Sequence, residues 1–230
     1  MNSRDKKYYQ MSIVLLGDFQ PAMFQPYWFK DNGIINESEF EAITSNSAGQ
    51  MLLSNIITQF ETGTTAFRIE QKRFQIIGKT EPFEKTIDSF RKIFESLSSI
   101  TVTAYGINYY FHLKADSKKE LEEIGKRLAP RSYWGSLFDD SVDSANSKSG
   151  LVSITMRKIE SFGYLNLTIE TSNRIDTGGI FMNFNFHHVK EDSNSFIVAE
   201  VMDEIENQDM QYKDVVSKLT EEIVNEVTKK

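Results

Sequence analysis

The chain has no cysteine among its 230 residues. That removes disulfides, thiolate metal sites and cysteine nucleophiles together. Histidine is scarce at three, and proline at four. No run approaches the ~20 consecutive apolar residues of a membrane-spanning helix. The N-terminus, Met1 to Gln10, is charged and leads into only a short apolar stretch, too short for the core of a secretory leader. A basic surplus is missing too, because 26 Lys and Arg meet 33 Asp and Glu for a net charge of −7. Phosphate binding needs clustered Lys and Arg, so no nucleic-acid partner is expected. These absences together predict a soluble cytoplasmic protein with no membrane partner. The sequence also lacks the GxGxxG, GxxxxGK[ST], GxSxG, HExxH and kinase patterns. No cofactor, no metal and no catalytic residue is assigned, and the reading leans away from an enzyme.

What the chain does have is aromatic mass. Seventeen Phe and nine Tyr within a hydrophobic content of 40% allow a substantial core. Aromatics in this number favour sheet over an all-helical bundle. The charge is uneven: residues 1–115 carry 12 basic and 12 acidic side chains, residues 116–230 carry 14 and 21. From Lys190 onward 5 basic residues meet 11 acidic ones, so the imbalance sits in the C-terminal segment. That segment reads as a helix with a solvated acidic face.

Ile100 to Leu113, β-branched and aromatic, predicts a central strand at the middle of the chain. Before it, Met11 to Gly17 predicts a buried strand. Asp18 to Phe29 predicts a loop-and-turn cover with a short helix near Pro21. Asn36 with Glu39 marks a helix start. Three strands follow, Met51–Phe60, Thr64–Gln71 and Phe74–Lys79. Phe83, Ile87, Phe90, Phe94 and Leu97 then step by 4, 3, 4 and 3, which predicts a helix capped by Thr80 with Pro82 in its first turn.

After the central strand the order recurs. Ser117 and Glu120 predict a capping box, and Leu121, Ile124 and Leu128 carry that helix to Pro130. Arg131 to Phe138 echoes Tyr27-Trp28-Phe29, and Asp139 to Gly150 is a polar loop. Strands follow over Leu151–Ile159, Tyr164–Glu170 and Gly179–Val189. Phe196 to Met202 reads as a further strand or the approach to a helix. The last helix, from about Met210, buries Tyr212, Val215, Val216, Leu219, Ile223 and Val227.

The predicted fold class is therefore α+β, in two similar halves spanning 1–99 and 100–230 and packed as one compact unit. Each half runs strand, helical connection, three antiparallel strands, helix. Neither closing helix can bury its stripe without a sheet. The two sheets are expected to be joined, or packed about a pseudo-twofold. The alternative is one curved sheet gripping the C-terminal helix.

Candidate binding residues come from strand alternation. Asn108, Tyr110 and His112 share one face of the central strand, and Asn183, Asn185 and His187 share one face of a later strand. Either row could hold a polar ligand, and the simpler account is the solvent face of an amphipathic strand. His187 and His188 are adjacent and must point to opposite faces, which argues against one metal holding both. Phe24, Tyr27, Trp28 and Trp134 are candidates for an aromatic partner surface, against the simpler account of a buried cover on the sheet. Asp139, Asp140 and Asp143 lack the ligand spacing of a calcium loop. Thr177-Gly178-Gly179 reads as a turn before a strand. Arg68, Lys72, Arg73 and Lys79, offset by Glu61 and Glu70, give weak support for anion binding.

Four short stretches carry a resemblance. They are Gly17-Asp18-Phe19-x-Pro21-x-x-Phe24-Gln25-Pro26-x-Trp28-Phe29, Gly106-Ile107-Asn108, Leu128-Ala129-Pro130 and Gly178-Gly179-Ile180-Phe181. Together they resemble a sporadically distributed family of bacterial and prophage-associated proteins of unknown function. The resemblance spans most of the chain and implies a bacterial or phage origin. It implies no activity and no catalytic residues.

Three functional expectations follow. The first is a non-enzymatic interaction protein, with a protein partner or a second copy of itself. The second is a small-molecule binding protein with a pocket between sheet and helix. The third, a hydrolase or nuclease drawing on His112, His187 and Asp140, has no supporting spacing.

Overall fold

In the computed structural model, which describes residues 6–45, 51–97, 100–135, 151–176, 178–190 and 195–228, two long strands form the middle of a single sheet. These are β1 (Lys6–Gly17) and β6 (Thr101–Lys114), and they run antiparallel. Beyond β1 lie β5 (Arg73–Gly78), β4 (Thr65–Glu70), β3 (Ile57–Glu61) and the two-residue β2 (Leu52–Leu53). Beyond β6 lie β9 (Gly179–Val189), β8 (Gly163–Thr171) and β7 (Ser153–Glu160), with β10 (Phe196–Ile197) pairing the start of β6. Five helices accompany the sheet: α1 (Pro26–Asp31), α2 (Glu37–Thr44), α3 (Glu84–Glu95), α4 (Lys118–Leu128) and α5 (Val198–Thr228). The α+β class is as expected, with a large antiparallel sheet.

The sheet has one apolar face because the period-2 patterns of its strands are in register. One row runs Phe60, Phe67, Ile76, Ile13, Ile107, Phe186, Leu165 across seven strands, and every member is buried. The helices dock on this face. Phe29 of α1 sits edge-on to Phe60 and Phe67, with ring centres 4.9 and 4.8 Å away. Phe90 and Phe94 of α3 pack against Phe74. Tyr212 of α5 stacks on Phe186 at 3.9 Å.

Local signals explain most element boundaries. Asn36 and Glu39 form the predicted capping box at the start of α2. Ser117 caps α4, accepting from the Glu120 N–H, while the Glu120 carboxylate accepts from the Asp116 N–H. Some expectations are corrected. Met51–Phe60 is not one strand, because the Ser54 hydroxyl accepts from the N–H groups of Ile56 and Ile57 and turns the chain there. α3 starts at Glu84 with Phe83 at its cap, so Thr80 lies outside the helix. α5 starts at Val198, twelve residues before Met210. The Asp139 to Gly150 segment, including Asp140 and Asp143, and Thr177 lie outside the described residues.

Two glycines sit where a side chain has no room. A Cβ on Gly179 would lie 2.4 Å from the Leu113 carbonyl oxygen, and one on Gly163 the same distance from that of His187. Both contacts are with backbone, which cannot swing aside. Gly179→Ala is expected to cost about 1–3 kcal/mol of unfolding free energy, read by urea titration.

Candidate functional site

The opposite face of the sheet carries no helix among the described residues. It is built from the alternate side chains of the same strands, and across the middle of β6, β9 and β8 it is polar. The register sets Asn108 against Asn185, Tyr110 against Asn183, and Gly106 against His187. β8 and β7 continue these rows with Asn166 and Arg157, Thr168 and Thr155, and Tyr164. Thus Asn108, Tyr110, Asn183 and Asn185 form one contiguous patch, with His187 and His112 at its two ends. The two rows read separately in the sequence meet because β6 and β9 are neighbours.

The patch is partly sunk into the sheet. Asn108 is buried and its Nδ2 donates to Ser12 Oγ at 3.2 Å. The Oδ1 atoms of Asn183 and Asn185 are buried without a hydrogen-bond partner. Unmet acceptors cost stability unless something donates to them. Beside them Tyr164 stacks on His187 at 4.5 Å, and the Arg157 guanidinium lies 4.0 Å over the Tyr164 ring. Arg157 Nε also donates to Asn166 Oδ1 at 2.9 Å.

Gly106 leaves a notch at the centre. A Cβ there would meet nothing closer than the Phe186 carbonyl oxygen at 3.7 Å and the amide nitrogens of Asn108 and Asn185 at 3.9 Å. Gly106→Ala is therefore expected to fold with stability within about 1 kcal/mol of wild type, in contrast to Gly179→Ala.

Both histidines on this face are held neutral. Burial, and then the Arg157 charge, lower the pKa of His187. Burial, and then Arg174, lower that of His112. Burial pushes the Tyr110 hydroxyl up to about 12, with Arg174 pulling the other way. The face thus offers neutral donors and acceptors between two guanidiniums, Arg157 near His187 and Arg174 near His112.

The geometry does not assemble a catalytic set from the expected residues. His112 faces Phe181 while His187 faces Gly106, six residues away along β6, a separation of about 20 Å at ~3.4 Å per residue. His112 Nδ1 does contact Ser172 Oγ at 2.8 Å. That hydroxyl also accepts from the N–H groups of Arg174 and Ile175, so it closes the turn before β9. Among the described residues no group of three or more His, Asp or Glu side chains is arranged to hold a metal.

The aromatic candidates separate. Phe24 is buried, packed on Phe74 and Trp28 by a single turn of 3-10 helix over Pro21–Met23, so it is core rather than surface. Thr58 Oγ1 ties that turn down by donating to the Pro21 carbonyl at 2.7 Å. Trp28 is half-buried, and Tyr27 is exposed beside Phe40. Trp134 is exposed at a groove lined by Leu121, Ile124 and Val152. α1 sits with β3 and β4, whereas Trp134 sits with β7, at the other end of the sheet. These residues therefore form no single surface.

Sequence reasoning missed a polar network beneath α5. His188 is buried, stacked between Tyr105 at 4.2 Å and Phe162 at 4.5 Å, and its Nε2 lies 2.9 Å from the Tyr212 hydroxyl. Its Nδ1 faces Glu204 Oε1 at 3.6 Å. Gln208 donates to that carboxylate and accepts from Tyr212. One turn on, Tyr109 donates to Asp209, which pairs with Lys213 at 2.7 Å. Polar residues at 204, 208 and 209 along a helix stripe were the available signal.

No protein-family model matches the chain, and no curated protein sequence matches it.

Proposed function

We propose that this chain is a non-enzymatic interaction protein of a bacterial or phage cytoplasm, binding a protein partner or a second copy of itself. The observation that carries the reading is the helix-free sheet face. Its polar side chains are ordered in rows, two asparagine carbonyl oxygens in it lack donors, and Gly106 notches its centre. A partner's polar groups would meet the exposed atoms of those rows, and rotation of the two asparagine side chains would bring their unmet acceptors to it.

The chain as two related halves, 1–99 and 100–230, belongs to the same proposal. Outward from β1 the order is β5, β4, β3, and outward from β6 it is β9, β8, β7. A pseudo-twofold between β1 and β6 would account for that correspondence.

The test places a photoreactive amino acid at position 166 on the helix-free face, and at position 85 of α3 as a control. Crosslinking in a lysate of the native host should give a discrete adduct from 166 alone. Gly106→Val, which fills the notch, should abolish it. Equal labelling from both positions, or none from 166, would contradict this use of the face.

A second reading, small-molecule binding, is favoured by one feature. A cleft of about 450 Å³ is lined by Lys7, Tyr8, Lys114, Arg174, Ile175 and Asp176. Tyr8 has φ of 51° where β1 slips register between Lys7 and Gln10, and Arg174 lies 5.6 Å over its ring. The ligand such a cleft would take is anionic. This cleft lies at the ends of the strands; a separate groove of about 400 Å³ lies between α4 and the sheet, lined by Leu121, Ile124, Ser153, Thr171 and Ile180, in the sheet-and-helix position the sequence suggests for a ligand. Asn108, Tyr110 and His112 also point away from the helices.

A further inference from the structure

Among the described residues the strand β7 ends the sheet and is paired only with β8. Its eight residues contain no proline, glycine or register slip. It is exposed on both faces, and Val152, Met156 and Ile159 are 77%, 66% and 74% exposed. Edge strands of this kind are normally short, bulged or covered, because they template pairing with another chain. The other margin of the sheet is blunted in that way, since β2 has only two residues.

The direction of the free backbone groups can be derived. The Thr171 N–H donates to the Val152 carbonyl. In an antiparallel ladder the inward-bonded residues alternate, so Val152, Ile154, Met156, Lys158 and Glu160 bond to β8. The two-residue connection after Glu160 requires the same parity, since Glu160 and Gly163 flank it. Ser153, Thr155, Arg157 and Ile159 therefore turn their N–H and C=O groups outward.

We infer that β7 pairs with β7 of a second copy of this chain, antiparallel, about a twofold axis through Thr155. This rests on the self-association arm of the reading above. Charge selects the register. A twofold at Arg157 or Lys158 would set like charges directly opposite each other, which is destabilising. A twofold at Thr155 sets Arg157 opposite Ser153 of the second copy. The hydroxyl of that Ser153 bonds Glu170 in the same row. Arg157 and the partnering Glu170 are then two strands apart, about 10 Å between Cα atoms, which the two long side chains span. The pairing occurs twice by symmetry. On the other face Ile154 lies opposite Met156, again twice, covering exposed apolar surface. Ser153, Thr155 and Arg157 would form about six backbone hydrogen bonds, two for each of three pairs. So small an interface predicts association in the micromolar range.

The test is sedimentation velocity on the full chain from about 5 to about 500 μM. Wild type is expected to pass from monomer to dimer. Thr155→Pro removes an outward N–H and leaves the backbone ladder to β8 in place, losing there only the exposed hydroxyl contact with Thr168 at 2.9 Å, so it should weaken dimerisation at least tenfold with an unchanged circular dichroism spectrum. Arg157→Glu should weaken it as well, and the double variant Arg157→Glu, Glu170→Arg should restore it. The charge swap decides the matter if Thr155→Pro does not fold. A dimer indifferent to all of these overturns the β7 pairing and leaves the interaction reading intact. A monomer throughout overturns the pairing, and the position 166 crosslink then decides the broader reading separately.

Discussion

Replacing Phe74 with alanine is expected to lower the unfolding free energy by about 3–5 kcal/mol. Phe74 is fully buried on β5, and its ring meets Phe19 at 6.0 Å, Phe24 at 5.8 Å, Phe90 at 6.5 Å and Phe94 at 4.9 Å. It therefore joins the segment after β1 to the helix α3 across the sheet. Truncation opens a cavity bounded by four rings, none of which can collapse into it without disturbing the others. Phe74→Leu should recover most of the loss. Tyr27→Ala, at an exposed ring (61%), should stay within about 0.5 kcal/mol. Urea titration of the three variants measures this. A loss below about 1.5 kcal/mol for Phe74→Ala would mean that this aromatic cluster is not packed as described.

Acid is expected to destabilise the protein through His188. Burial lowers its pKa to about 4, against the opposing attraction of Glu204. An unfolded histidine titrates near 6.5. Between those values the unfolded chain binds the proton and the folded chain does not, so stability falls as pH falls. The contribution is fully present above about pH 6.5, is down by about 2 kcal/mol at pH 5, and is down by about 3 kcal/mol at pH 4. Carboxylates add their own acid dependence, so the informative quantity is the difference from His188→Gln. The variant should be less stable at pH 7.5 and should show a flatter decline between pH 7 and 5. Parallel curves for the two proteins would show that His188 titrates normally in the fold.

Much of this was legible because the strands announce themselves. Tyr105, Ile107, Tyr109 and Phe111 alternate with Gly106, Asn108 and Tyr110, and that alternation alone sorts them onto two faces. The neighbourhood of His187 and Asn108 was not legible, because pairing between strands some eighty residues apart is a tertiary choice that local pattern leaves open. α5 was read too short for a specific reason. Gln208 and Asp209 interrupt its apolar stripe, and only their bonds to Tyr212 and Tyr109 in the folded state explain why they point inward. Phe24 left two accounts open, a buried cover or a partner surface, since aromatic density cannot distinguish them. The tie between Thr58 and the Pro21 carbonyl, which turns Phe24 inward, joins residues 37 apart. The exposed margin at β7 was invisible for a similar reason, since a strand becomes an edge only through where its neighbours go.

The central claim is that this sheet binds protein and not a small molecule. Native mass spectrometry of the full chain at tens of micromolar tests it most directly, because subunit count and retained ligands are read from the same spectrum. The account predicts a dimer in exchange with monomer, each at the mass of the bare polypeptide. A strictly monomeric protein carrying a stoichiometric anionic adduct would contradict it and would move the site to the cleft beside Arg174.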